Sequence, residues 1–138
     1  MDWQRRSVFV TGGTGYLGRS MISALVGRGH TVRGLVRQGS EGKLPAGCEA
    51  VLGDALDATS FKGHVRSTDT LVQLVGVAHP SPSKGAEFRR VDLAAGKAGI
   101  RAAADAGVQH FVYLSVAQPA PMMKAYIAVR AECEAEIR

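Results

Sequence analysis

A run of strand-forming residues, Ser7-Val8-Phe9-Val10-Thr11, leads directly into Gly12-Gly13-Thr14-Gly15-Tyr16-Leu17-Gly18. Glycines 12, 15 and 18 follow a predicted strand and open a predicted helix, and that placement gives the spacing its meaning. Gly12 lets the chain turn sharply. Gly15 has no Cβ, so backbone can approach a diphosphate. Gly18 lets the helix pack closely on the strand. The first turn of such a helix also offers unpaired N–H groups and partial positive charge to an anion. Gly12, Thr14, Gly15, Tyr16, Leu17 and Gly18 are therefore the candidate cradle for the pyrophosphate of a dinucleotide. A purely structural glycine turn is the alternative.

The rest of the chain alternates apolar runs with helical patterns. A helix is expected over residues 16–28, with Leu17, Met21, Ile22 and Leu25 on one face. Gly29 stands where a helix-ending glycine belongs. Residues 30–37 read as a second strand, 38–47 as a loop and 49–52 as a third strand. A short helix is expected to start near Asp57, whose side chain suits an N-cap. Residues 69–77 (DTLVQLVGV) form a nearly unbroken apolar run, as in a strand buried on both faces of a parallel sheet. Two prolines make residues 79–85 a loop. A long helix follows over 86–106, with Phe88, Val91, Ala95, Ala98 and Ala102 in one stripe, closed by Gly107. Residues 110–116 are the fifth strand, and a last helix begins near Met122 or Met123.

Strands separated by helices imply an α/β protein, a doubly wound parallel sheet of the Rossmann type. Five strands are countable, one fewer than a complete dinucleotide fold carries. Residues 1–138 are thus expected to be one NAD(P)-binding domain, a fragment or truncated form of a longer protein that lacks its C-terminal strands and substrate subdomain.

Where the second strand ends, an acid would take the ribose 2′-hydroxyl. This chain has Arg37 there, with Arg33 four residues earlier. A cation suits a 2′-phosphate, so NADP(H) is favoured over NAD(H). The net charge of +5 fits an anionic partner. No block of five like charges occurs and aromatic residues are only 6%, which argues against a nucleic-acid platform. Cys48 and Cys133 are far apart and form no metal spacing, and His30, His64, His79 and His110 add none, so no metal site is expected. Reduced thiols, no signal-peptide run and no membrane-length apolar stretch point to a cytoplasmic protein.

VFVTGGTGYLG, the Gly53-Asp54 pair and FVYLSV before a helix together resemble the extended and atypical branch of the short-chain dehydrogenase/reductase superfamily. Its members include NAD(P)-dependent epimerase/dehydratase-like proteins. The resemblance runs from Ser7 to Arg138. It implies that Gly53, Asp54 and Ala55 meet the adenine end, with Asp54 at the amino group. It implies that Val75, Gly76 and Val77 line the adenine ribose. It places Ser115 and Tyr126 at the positions of the catalytic serine and tyrosine.

The departures are specific. The superfamily pattern Tyr-x-x-x-Lys is here Tyr126-Ile-Ala-Val-Arg130, and Asp92 stands where a helix asparagine is expected. Lysine in that pattern holds the nicotinamide ribose and lowers the tyrosine pKa, whereas arginine stays protonated and has another shape. The leading expectation is an oxidoreductase or nucleoside-diphosphate-sugar epimerase/dehydratase-like enzyme. It passes a hydride between NADP(H) and a small carbonyl or alcohol substrate, with Tyr126 handling the proton, Ser115 orienting the oxygen and Arg130 holding the ribose. The alternative is a non-catalytic NADP(H)-binding module that senses redox state or serves a protein partner. Ala94, Ala95, Ala98, Ala102 and Ala103 form a small-residue face. That face fits close packing in a homodimer and burial within the chain equally well.

Overall fold

The computed structural model describes residues 4–75, 88–114 and 124–138. Strands β1 (Ser7–Thr11), β2 (Thr31–Val36), β3 (Cys48–Leu52), β4 (Asp69–Gln73) and β5 (His110–Tyr113) form one sheet in the order β3-β2-β1-β4-β5. All four pairings are parallel, with Ser7 level with Thr31 on one side and with Asp69 on the other. Helix α1 (Tyr16–Gly27) joins β1 to β2, α2 (Ala94–Ala106) precedes β5, and α3 (Lys124–Ile137) follows it. The expected doubly wound α/β fold is borne out.

Alternation along β1 explains the layers. Val8 and Val10 pack with Val32, Val72 and Ile22 of α1 on one face. Phe9 packs with Leu35, Phe61, Leu71 and the alanines Ala98, Ala102 and Ala103 of α2 on the other. Successive strand side chains point to opposite faces, so a strand covered on both sides must be apolar throughout. Ala95, Ala98, Ala102 and Ala103 are buried within the chain, which accounts for the small-residue face without a second copy.

Several element ends differ from the sequence reading. β2 is one residue shorter at each end than 30–37, and β3 begins one residue earlier, at Cys48. β4 ends at Gln73 and β5 at Tyr113. In place of the helix expected at Asp57 there are two 3₁₀ turns, Ala58–Ser60 and Lys62–His64. Asp57 does cap the first, accepting from the Thr59 N–H at 3.1 Å. The Ser60 hydroxyl donates to the Asp54 and Asp57 carbonyls, a local competitor with helical pairing. The long helix expected over 86–106 opens, in its described part, as a π-helical turn, Phe88–Leu93, before α2. Leu17, placed on the apolar face of α1, is 43% exposed. Gly29 and Gly107 do close their helices, at φ +88° and +76°.

Candidate functional site

The C-terminal ends of the strands surround a cavity of about 480 Å³. Its floor is the glycine loop: Gly12, Thr14 and Gly15. Gly12 has φ +80°, and a Cβ there would lie 2.6 Å from the Leu74 carbonyl carbon and the Val75 nitrogen. A Cβ on Gly18 would run into the Gly12 carbonyl, which is how the first turn of α1 sits so close to the loop. Gly13 is close-packed too, but against a side chain: its Cβ would come within 2.6 Å of the Ile22 Cδ1. Gly15 differs from these three. Its φ is −75° and the nearest atom to a Cβ would be 3.5 Å away, so the fold itself leaves the space before it open.

One wall comes from the end of β2 and the following loop: Leu35, Val36, Arg37, Ser40 and Lys43. The second is Gly53, Asp54, Ala55 and Leu56 after β3, where Asp54 accepts from the Leu56 N–H at 2.9 Å. The third is Leu74 and Val75 after β4, with Arg90 and Val91 of the π-helical turn. Leu74 N–H donates to the Thr11 carbonyl, continuing the sheet pairing to the cavity rim. Among the described residues, three cations, Arg37, Lys43 and Arg90, thus line the cavity against one carboxylate, Asp54.

Of the residues expected at the dinucleotide, Gly12, Thr14, Gly15, Arg37, Gly53, Asp54, Ala55 and Val75 line this space. Tyr16 is 86% exposed and, like Leu17, is not among the lining residues; Gly18 packs beneath the loop. Gly76, Val77, His79 and Ser115 lie outside the described residues. Position 126 falls in the first turn of α3. Ser40, Lys43 and Arg90 were not anticipated. The basic residues of the loop after β2 were the available signal for Lys43.

Arg33, read beside Arg37 as a second cation for a phosphate, is not at the cavity. It is buried, forms an ion pair with Asp69 and donates to the His64 carbonyl. The end of the strand is the reason: β2 stops at Val36, so Arg33 stays within the sheet and only Arg37 reaches the rim.

Arg130 is 2% exposed. Its Nη2 donates to Asp92 Oδ2 at 2.8 Å, and its Nη1 to the Leu114 carbonyl and the Tyr113 hydroxyl, each at 3.2 Å. The guanidinium carbon lies 5.5 Å from the Tyr113 ring centroid. Burial raises the Tyr113 pKa well above the usual phenol range, helped by a hydrogen bond with Cys133 and opposed by the Arg130 charge. Burial likewise raises the Cys133 thiol. Arg130 is not among the residues lining the cavity.

A parallel sheet with a glycine loop at its central strand and a basic cavity above it defines a nucleotide-binding α/β protein. The NmrA-like family profile matches residues 4–130, and the chain belongs to that family. It is 35% identical over 109 residues to a 4-hydroxy-2-methyl-3-oxo-4-farnesyl-3,4-dihydroquinoline-1-oxide ketoreductase of Stigmatella aurantiaca, covering 78% of this chain and 32% of that protein. It is 35% identical over 120 residues to a 3 beta-hydroxysteroid dehydrogenase/Delta 5-->4-isomerase of Mycobacterium tuberculosis, covering 78% and 31%. Among solved structures, Bordetella bronchiseptica WbmG in complex with NAD superposes with a TM-score of 0.76 at 21% identity, over 97% of this chain and 49% of that one. A UDP-glucose 4-epimerase gives 0.79 at 16%, over 94% and 46%. The chain spans about a third of the length of the curated relatives it matches. The resemblance to the extended short-chain dehydrogenase/reductase branch is borne out.

Among the described residues, no helix is long and apolar enough to cross a membrane, and no cluster of three or more His, Cys, Asp or Glu could hold a metal ion.

Proposed function

We propose that this chain is the coenzyme-binding part of an NADP(H)-dependent oxidoreductase or epimerase/dehydratase-like enzyme acting on a small carbonyl or alcohol substrate. The observation that carries the proposal is the open glycine loop under a cavity with three cations. Gly12, Thr14 and Gly15 would hold the pyrophosphate with backbone N–H groups at the start of α1. NADP(H) carries one more phosphate than NAD(H), and Arg37 and Lys43, with the Ser40 hydroxyl, supply the charge-assisted donors it needs. Asp54 would accept from the adenine amino group, and Val75, with Gly76 and Val77, would line the adenine ribose. When bound, the nicotinamide supplies or accepts the hydride. Tyr126 would give or take the proton at the substrate oxygen, and Ser115 would orient that oxygen. The relatives named as a ketoreductase and a hydroxysteroid dehydrogenase support this chemistry.

Titration with NADPH and NADH, followed by nicotinamide fluorescence, tests the first half. Tight NADPH with weak NADH supports the reading; equal affinities remove the NADP preference; no binding of either removes the coenzyme. A panel of aldehydes and ketones with NADPH tests the second half. Binding without turnover, in a protein that also carries its substrate-binding part, favours a non-catalytic module, the reading to which lysine's replacement by Arg130 lends support.

A further inference from the structure

Arg130 and Asp92 are 38 residues apart in sequence, yet their side chains are 3% and 0% exposed and joined at 2.8 Å. Taking two charges out of water costs several kcal/mol per ion, and apolar residues of the same volume are often as stable. A buried pair is therefore poor evidence of stability and better evidence of a fixed arrangement. The arrangement here is specific. Asp92 directly follows Arg90 and Val91, which line the cavity. The Leu114 carbonyl, which accepts from Nη1, directly precedes Ser115. Arg130 itself lies one helical turn after position 126. One guanidinium thus grips the cavity wall, the end of β5 and α3 together.

Arginine suits this task and no proton-transfer task. It does not deprotonate, and its planar fork directs two nitrogens at different acceptors. Leu93, Val129 and Cys133 form a small apolar cluster with Tyr113 packed against it, and the Arg130 guanidinium lies over the Tyr113 ring. A Cβ on Gly96 would strike the Cys133 sulfur, so α2 and α3 are already in close contact here.

We infer that the Asp92–Arg130 pair is a positioning device, which holds the segments bearing Ser115 and Tyr126 in register with the coenzyme cavity. On this inference the task of Arg130 is the pair with Asp92, in place of a contact with the nicotinamide ribose. The inference rests on the function proposed above, and its test separates the two. Asp92→Asn, Arg130→Lys and the double variant are compared with wild type for NADPH affinity, for kcat with a reducible carbonyl substrate, and for amide hydrogen exchange. The expected result is NADPH affinity within about twofold of wild type in all three, kcat down about tenfold in each single variant, and a double variant no worse than the poorer single, as for residues acting as a unit. Exchange should quicken in residues 111–114 and 128–137 while β1 stays protected. NADPH affinity lost in Arg130→Lys but kept in Asp92→Asn would mean a direct ribose contact and overturn the inference. So would additive losses, or an unchanged kcat. If this coenzyme-binding part alone shows no turnover, NADPH affinity and hydrogen exchange carry the test. Hydrogen exchange then decides the pair: faster exchange in both segments upholds the lock, and unchanged exchange refutes it.

Discussion

Arg33 of β2 reaches across the Phe9 ring of β1, 5.4 Å from its centroid, to pair with Asp69 at the start of β4. The two partners are unequally provided for. Asp69 also accepts from the Ser7 hydroxyl at 2.6 Å and the Arg66 N–H at 2.8 Å. Among the described residues, Arg33 has besides Asp69 only the His64 carbonyl and the ring, and its Nε has no hydrogen-bond partner there.

Removing the acid should therefore cost more than removing the base. Asp69→Asn leaves a buried cation without its counter-charge and is expected to destabilise by about 3–5 kcal/mol. Arg33→Met leaves a carboxylate that keeps two donors, and should cost about 1–2 kcal/mol. Urea unfolding of both variants measures the difference; an Arg33→Met cost equal to or above that of Asp69→Asn would contradict the asymmetry.

The same group gives the fold an acid limit. Burial alone would raise the Asp69 pKa, but the Arg33 and Ser7 hydrogen bonds, the Arg66 N–H and the Arg33 charge together lower it. A carboxyl with a depressed folded pKa contributes stability above its unfolded value, about 3.9, and loses it as pH falls through the folded value. Stability should accordingly drop below about pH 4. Asp69→Asn should show a shallower acid limb in denaturation midpoint against pH, since it has no proton to take up there.

The glycines of the loop should separate into two kinds. Gly18→Ala collides with the Gly12 carbonyl, and Gly12→Ala is strained by its φ of +80° as well as by the Leu74 backbone. Both should lose at least about 2 kcal/mol of stability. Gly15→Ala meets nothing closer than 3.5 Å, so it should melt close to wild type while NADPH affinity falls by about tenfold or more, because only a ligand needs that space. Thermal melting and fluorescence titration of the three variants read the two effects separately.

Arg37→Ala and Lys43→Ala should each weaken NADPH by about 1–3 kcal/mol, the range of a charge-assisted hydrogen bond, and leave NADH nearly unchanged. Equal losses for both coenzymes would place these cations on a phosphate that NADPH and NADH share.

The glycine loop and the alternation of strands were legible because their causes are local: a turn, a helix start, an apolar run. Gly53, Asp54 and Ala55 line the cavity because they directly follow β3. What escaped the sequence depended on distant partners. Arg33 and Arg37 look alike in the chain, and only the end of β2 at Val36 sends one into the sheet and the other to the rim. Arg130 could be recognised as a departure, but its partner Asp92 is brought to it by the packing of α3 on the π-helical turn. The two 3₁₀ turns after β3 were missed because the Ser60 hydroxyl, bound to two backbone carbonyls, disfavours the regular helix that Asp57 alone suggests.

Because all five strands run the same way, the two rims of the sheet have separate duties. The rim with Arg33, Asp69, Ser7 and the Arg6–His30 hydrogen bond ties strand to strand. The opposite rim carries the glycine loop and the basic walls. Mutational tolerance should follow that division. Outside the glycine loop, where the fold itself requires Gly12 and Gly18, the walls on the cavity side should accept substitution at little cost in folding, so long as the other rim is left alone.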